Sequence, residues 1–209
     1  ITSDYNVTGG ASHDNIGLYN AIFGSNHDRI NGYNIVAGGS SKDIYNNYNA
    51  VFGANHDSIY YGNLVAGVNH NNVTGAYNTV SGYVHDNVRG SYNTVLGIDN
   101  DDVYGNHTTV LGAYHDSIGT SNTVMGYNND NVTGNYNVVG GYLHKNVRSS
   151  YNAIFGNSHD DIFGNYNTVV GSQNDSIFGT VNLIAGTGLK ARHVRSYRAH
   201  LLRMAMAHM

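Results

Sequence analysis

Tyr77-Asn78-Thr79-Val80-Ser81-Gly82, followed after Tyr83 and Val84 by His85-Asp86-Asn87-Val88-Arg89-Gly90, sets the pattern of the chain. The next segment, Tyr92-Asn93-Thr94-Val95-Leu96-Gly97, starts the same pattern again. Working outward, one glycine column runs through Gly10, Gly24, Gly38, Gly53, Gly67, Gly82, Gly97, Gly112, Gly126, Gly141, Gly156, Gly171 and Gly186, in steps of 14 or 15 residues. About halfway between successive glycines stands a β-branched residue: Ile16, Ile30, Ile44, Ile59, Val73, Val88, Val103, Ile118, Val132, Val147, Ile162 or Ile177. A period of this length is the signature of a solenoid.

Each half-repeat reads as a short strand. Its Val or Ile points inward, its two neighbours point outward, and a Gly follows where the backbone turns with positive φ. Two strands per coil make two facing parallel sheets with one β-branched column as the hydrophobic core, so each coil depends on its neighbours. The expected fold is therefore all-β: a parallel two-sheet β-solenoid (β-roll) of about 13 coils, with a rise of about 4.8 Å per coil and a length of roughly 60 Å. The solenoid repeat domain spans 1–186, and 187–209 hold a last half-coil and a basic C-terminal helical cap.

In that tail, Arg192-His193-Val194-Arg195 continue the repeat weakly and Ser196 is placed to N-cap a short helix with Tyr197, Leu201, Leu202 and Ala205 on one face. The other reading is a basic arm, because Lys190, Arg192, Arg195, Arg198 and Arg203 carry five of the ten cationic side chains.

Composition narrows the function classes. The 209 residues include 27 Gly and 18 Tyr but no Pro, Cys, Trp or Glu, and the formal net charge is −4. Without Cys there is no disulfide, thiolate metal site or cysteine nucleophile. No apolar run approaches the roughly 18 residues of a membrane span. The start at Ile1 without Met, and sequons at Asn6, Asn72, Asn106, Asn131 and Asn174, fit a processed, secreted, extracellular protein.

Stacking turns repeat positions into ladders. The amide column is Asn20, Asn34, Asn49, Asn63, Asn78, Asn93, Asn122, Asn137, Asn152, Asn167 and Asn182, with Thr108 replacing one member. Amides carry both donors and an acceptor, so this column reads as a structural ladder along a corner. An Asp column (Asp14, Asp28, Asp57, Asp86, Asp101, Asp116, Asp130, Asp160, Asp175) is interrupted by Lys42, Asn71 and Lys145, which implies a partly solvated corner.

His-Asp pairs recur at His13, His27, His56, His85, His115 and His159, whereas catalysis needs one converging constellation. The expectation is thus a non-enzyme with no catalytic residues, no metal and no cofactor. A Tyr column that includes Tyr77 and Tyr92 is expected to stack along the corner opposite the Asp column, with a carbohydrate-binding stripe as the functional alternative. The acidic body argues against nucleic acid.

The first sheet is expected to present two uncharged outward rows. One contains Thr79, Thr94, Thr109, Thr123 and Thr168; the other contains Phe23, Phe52, Ser81, Leu96, Leu111, Met125 and Phe155. Such a strip is larger than soluble monomers normally expose and calls for a partner. The bulky Phe residues are expected to interrupt its flatness. The second sheet, with Asn15, Arg29, Asn31, Asn87 and Arg89, reads as a solvated face.

The Asn-x-Val-x-Gly half-repeat, two per coil over nearly the whole chain, resembles the ryegrass-type antifreeze or ice-recrystallisation-inhibition proteins of grasses. That resemblance implies a left-handed β-roll with an internal Asn ladder and one flat ice-binding face, here the Thr79–Thr123 row. A weaker similarity runs to the β-roll heads of trimeric autotransporter adhesins. The expected partner is therefore an ice surface. The alternative is self-association, as a homo-oligomer, filament or adhesin module using the same apolar face.

Overall fold

With one β-branched side chain inward in each half-coil, stacked coils bury like residues on like. The computed structural model describes residues 5–191, and these are all-β and parallel. Thirteen strands form the first sheet, from Val7–Ala11 to Leu183–Thr187, joined in sequence by twelve parallel pairings. Within this first sheet the register is constant: Val80 lies between Val65 and Val95, and Gly82 between Gly67 and Gly97. Second-sheet strands are short, such as Asp116–Ile118 and Asp130–Val132. Leu64–Val73 and Thr79–Asp86 run unbroken from one face to the other and pair along both.

The aliphatic core runs from Ile16 to Ile184 as a single buried column pair. Its members are essentially inaccessible, so each side chain contributes about 1.5–3 kcal/mol relative to exposure. Among the described residues there is no helix. The expected C-terminal helical cap, with Ser196, Tyr197, Leu201, Leu202 and Ala205, lies outside the described residues, as do Arg192 and Arg195 of the expected last half-coil. Lys190–Ala191 still pair with Asp175–Ile177.

Three features correct the simple two-strand picture. First, the column glycines do not follow the strands but lie within them, as in Thr94–Ile98. Gly97 has φ 129°, and a Cβ there would sit 1.8 Å from the Gly112 carbonyl oxygen, so only glycine fits.

Second, the second half-coil carries an extra residue in the left-handed region between the Asp and the core residue: Asn87 at φ 56°, Asn15 at φ 46°. These residues were expected as ordinary outward strand positions. A bulge of this kind keeps Asp and Ile on the ladder while stepping over one residue. At Asp14-Asn15 and Asp160-Asp161 the Asp carboxylate accepts the backbone N–H of the bulged residue at 2.8 Å, which gives these two members of the Asp column a structural role.

Third, left-handed residues also precede the two inward polar positions, as at Tyr92 (φ 61°) and Asp99 (φ 52°). Their N–H groups still bond the preceding coil, Tyr92 to the Ala76 carbonyl and Asp99 to that of Tyr83, so the corners are not left with orphan donors.

Candidate functional site

The interior of each coil holds four side chains, not the aliphatic pair alone. In the coil from Asn93 these are Asn93, Val95, Asn100 and Val103, all buried. The Asn column forms the expected ladder: Asn20, Asn34, Asn49, Asn78, Asn93, Asn122, Asn137, Asn152 and Asn167 are each nearly inaccessible. The Asn93 Oδ1 accepts the backbone N–H of Thr108 at 2.9 Å, while its Nδ2 donates to the carbonyls of Arg89 and Gly105. Thr108 keeps a donor to the Gly119 carbonyl at 2.8 Å.

The opposite corner carries a second ladder that the sequence reading did not identify. His27, His56, His70, His85, His115, His144 and His159 are fully buried, in one file with Ser41, Asn100, Asn129 and Asn174. In each of these seven rings Nε2 lies 2.9–3.3 Å from the carbonyl four residues back. Nδ1 lies 3.1–3.4 Å from the backbone N–H of the next coil. A backbone N–H only donates and a carbonyl only accepts, which fixes the tautomer: Nε2 carries the proton and Nδ1 accepts.

Asn100 makes the same pair of bonds, with Oδ1 to the His115 N–H and Nδ2 to the Leu96 carbonyl. Neutral His and Asn are thus interchangeable in this file. The substitution of His by Asn at 100, 129 and 174 was the available sequence signal. It was obscured because the recurrent His-Asp pairs read as a unit, whereas the His points inward and the Asp lies at the surface.

Outside, the first sheet presents three rows. Thr79, Thr94, Thr109 and Thr123 are successive in-register rungs, all half-buried. Thr168 stands apart, between Ala153 and Leu183. Beside the Thr rungs run Ser81, Leu96, Leu111 and Met125. A third row, not anticipated, continues with Tyr83, Ile98, Ala113, Tyr127 and Tyr142. No charged residue occurs in any of these rows from Val7–Ala11 to Leu183–Thr187.

Phe23, Phe52 and Phe155 are exposed, and the first two sit among small neighbours. Phe23 lies between Gly9 and Ala37, Phe52 between Ala37 and Ala66, and Phe155 between Gly140 and Val170. A Cβ on Gly140 would fall 3.0 Å from the Phe155 ring, and one on Gly9 would fall 3.1 Å from the Phe23 ring. The Phe23 and Phe155 rings thus each lie close to a glycine of the preceding coil.

The Tyr column stacks in three runs: Tyr5-Tyr19-Tyr33-Tyr48, Tyr77-Tyr92-His107 and Tyr136-Tyr151-Tyr166. Centroids are 4.7–6.0 Å apart and rings within 23° of parallel. Most ring faces are therefore taken by neighbouring rings, leaving edges to solvent, whereas a sugar platform needs open faces.

The second face is charged and tied by ion pairs. Lys42 lies 2.9 Å from Asp57, Lys190 lies 3.2 Å from Asp175, and Arg29 bonds Asp43. The Arg29 hydrogen bond holds the Asp43 carboxyl below its usual range. In mid-rod, burial and neighbouring carboxylates push Asp101 up to about 6 and raise Asp86. Among the described residues no group of three or more His, Cys, Asp or Glu is arranged to hold a metal ion. No helix among them is long and apolar enough to cross a membrane.

Comparison with protein-family models, with curated proteins and with solved structures gave no match to this chain.

Proposed function

We propose that this protein is a non-catalytic extracellular rod whose first sheet binds an ordered, repetitive surface, most specifically ice. The observation that carries this reading is the run Thr79, Thr94, Thr109, Thr123: four identical, half-buried, in-register rungs on an uncharged face. Identical groups repeated at the strand spacing of about 4.8 Å give a rigid array of methyl and hydroxyl groups. The Asn and His ladders support it by fixing the backbone from within. The Asn-x-Val-x-Gly resemblance points the same way. Two of the sequons, Asn106 and Asn131, are exposed and fit an extracellular setting, while Asn174 is buried in the inner file.

A second reading rests on a separate observation. Ile35, Leu64, Val170 and Leu183 leave large apolar groups exposed on the same sheet. Burial against a second copy would remove that surface from water, making the face an assembly interface.

One experiment separates the two: ice-recrystallisation inhibition and solution mass, measured on the parent and on a Thr94→Lys/Thr109→Lys variant. Ice binding predicts a monomer whose inhibition is lost in the variant at unchanged mass and melting temperature. An inactive parent oligomer that the substitutions dissociate would establish self-association instead.

A further inference from the structure

We propose that the buried imidazole file makes this solenoid a proton-operated rod: acid opens the corner that bounds the first sheet, and neutral pH re-forms it.

The geometry leaves no place for a second ring proton. At His85, Nε2 faces the Ser81 carbonyl at 3.1 Å and Nδ1 accepts the Asn100 N–H at 3.1 Å. A protonated Nδ1 would point a donor at a donor, breaking the bond that joins one coil to the next. The same holds at His70, which accepts the His85 N–H, and at His144, which accepts that of His159. The rings are also stacked on one another, His56-His70-His85 and His144-His159, with centroids 4.9–5.1 Å apart, so one added charge disfavours the next. Proton uptake is thus deferred to the opened file and not spread over stepwise titration of the folded rod.

The surroundings offer little compensation. Like-charge repulsion comes from the file itself: His13 acts on His27, His56 and His85 on His70, and His159 on His144. Asp99 and Asp86, both beside His85, act in favour of a charged ring there. His115, flanked in the file by Asn100 and Asn129, feels burial and backbone groups. Burial dominates throughout and takes His70 and His144 down to about 4.

The sign follows from linkage. Unfolded imidazoles bind protons from about pH 6.5 downward while the folded rings do not, so stability is full above that pH. It falls as the pH drops toward 4. Asp86, Asp101 and Asp130, whose carboxyls are raised by burial, shift in the opposite sense and offset part of the loss.

The fold supplies its own control residue, because Asn100, Asn129 and Asn174 already do the work of neutral His without a titrating group. The test is acid unfolding followed by circular dichroism on the whole chain. It compares the parent, a variant carrying Asn at His56, His70, His85, His144 and His159, and a His107→Asn variant altered on the exposed corner. The parent should lose its β signal in one step between pH 6.5 and 4 and regain it on neutralisation. The five-site variant should hold its signal at least one pH unit lower, and His107→Asn should follow the parent.

A parent that stays folded at pH 4, or a five-site variant that opens with the parent, overturns the proposal. Should the five-site variant fail to fold at pH 7, histidine ¹⁵N shifts of the parent decide. Nε2-protonated rings that remain neutral until the β signal is lost support the proposal, and rings that titrate near 6.5 in the folded rod refute it.

Discussion

At one corner of a coil Asn93 donates to the carbonyl four residues back and to that of Gly105, and its oxygen accepts the N–H of Thr108. At the other corner Asn100 donates to the carbonyl four residues back and to that of Gly112, and its oxygen accepts the N–H of His115. The two corners follow one hydrogen-bonding plan, yet the first is filled almost throughout by amides and the second mainly by imidazoles. An inward polar residue here needs one donor and one acceptor set apart, and both groups supply them. They differ in what acid does to the acceptor: an amide oxygen keeps its lone pairs, whereas Nδ1 loses its own.

The largest effect that sharpens this comparison concerns glycine. At the imidazole corner Gly97 has no room for a Cβ, whereas a Cβ on Gly119, near the amide corner, would meet its nearest neighbour, the Thr133 carbonyl oxygen, at 3.2 Å. Gly97→Ala should cost at least about 4 kcal/mol in urea unfolding, and Gly119→Ala less than about 1.

Next comes removal of one amide. Asn93→Leu leaves the Thr108 N–H and the Gly105 carbonyl buried and unpaired, for a loss of about 3 kcal/mol at any pH from 5 to 8. His70→Asn should behave otherwise, near-neutral at pH 7 and stabilising by about 2–3 kcal/mol relative to the parent as the pH approaches 4, measured by denaturation at each pH.

Ser41 breaks the imidazole file, and its buried hydroxyl has no partner. Ser41→Asn should restore the plan and raise stability by about 1 kcal/mol. The smallest effect belongs to the outer face: Thr109→Lys should change stability by less than about 0.5 kcal/mol while altering whatever the face binds.

Much of this architecture is legible in the repeat. The glycine and Val/Ile columns announce the stacking, and the regular Asn positions announce one ladder, because an inward amide recurring beside a β-branched core residue has few other uses. The imidazole file was harder to read. His85 stands three residues before Val88, where an inward neighbour in a regular strand would stand two before, and the left-handed Asn87 supplies the missing step. Strand alternation alone therefore misplaces the side chain. The nearness of the Phe155 ring to a glycine was also hidden, since Phe155 and Gly140 become neighbours through register across coils.

A period of 14–15 residues with one β-branched residue in each half dictates parallel stacking on sequence grounds alone, because no single coil can bury its own core. The repeat also dictates which residues become neighbours along the rod, since every coil restates the last. The stacked backbone alone decides which polar residues turn inward, and so which corner answers to protons. Left-handed residues that recur at the corners and bulges reset the direction of the chain, and they are tied by hydrogen bonds to adjacent coils that sequence periodicity does not contain.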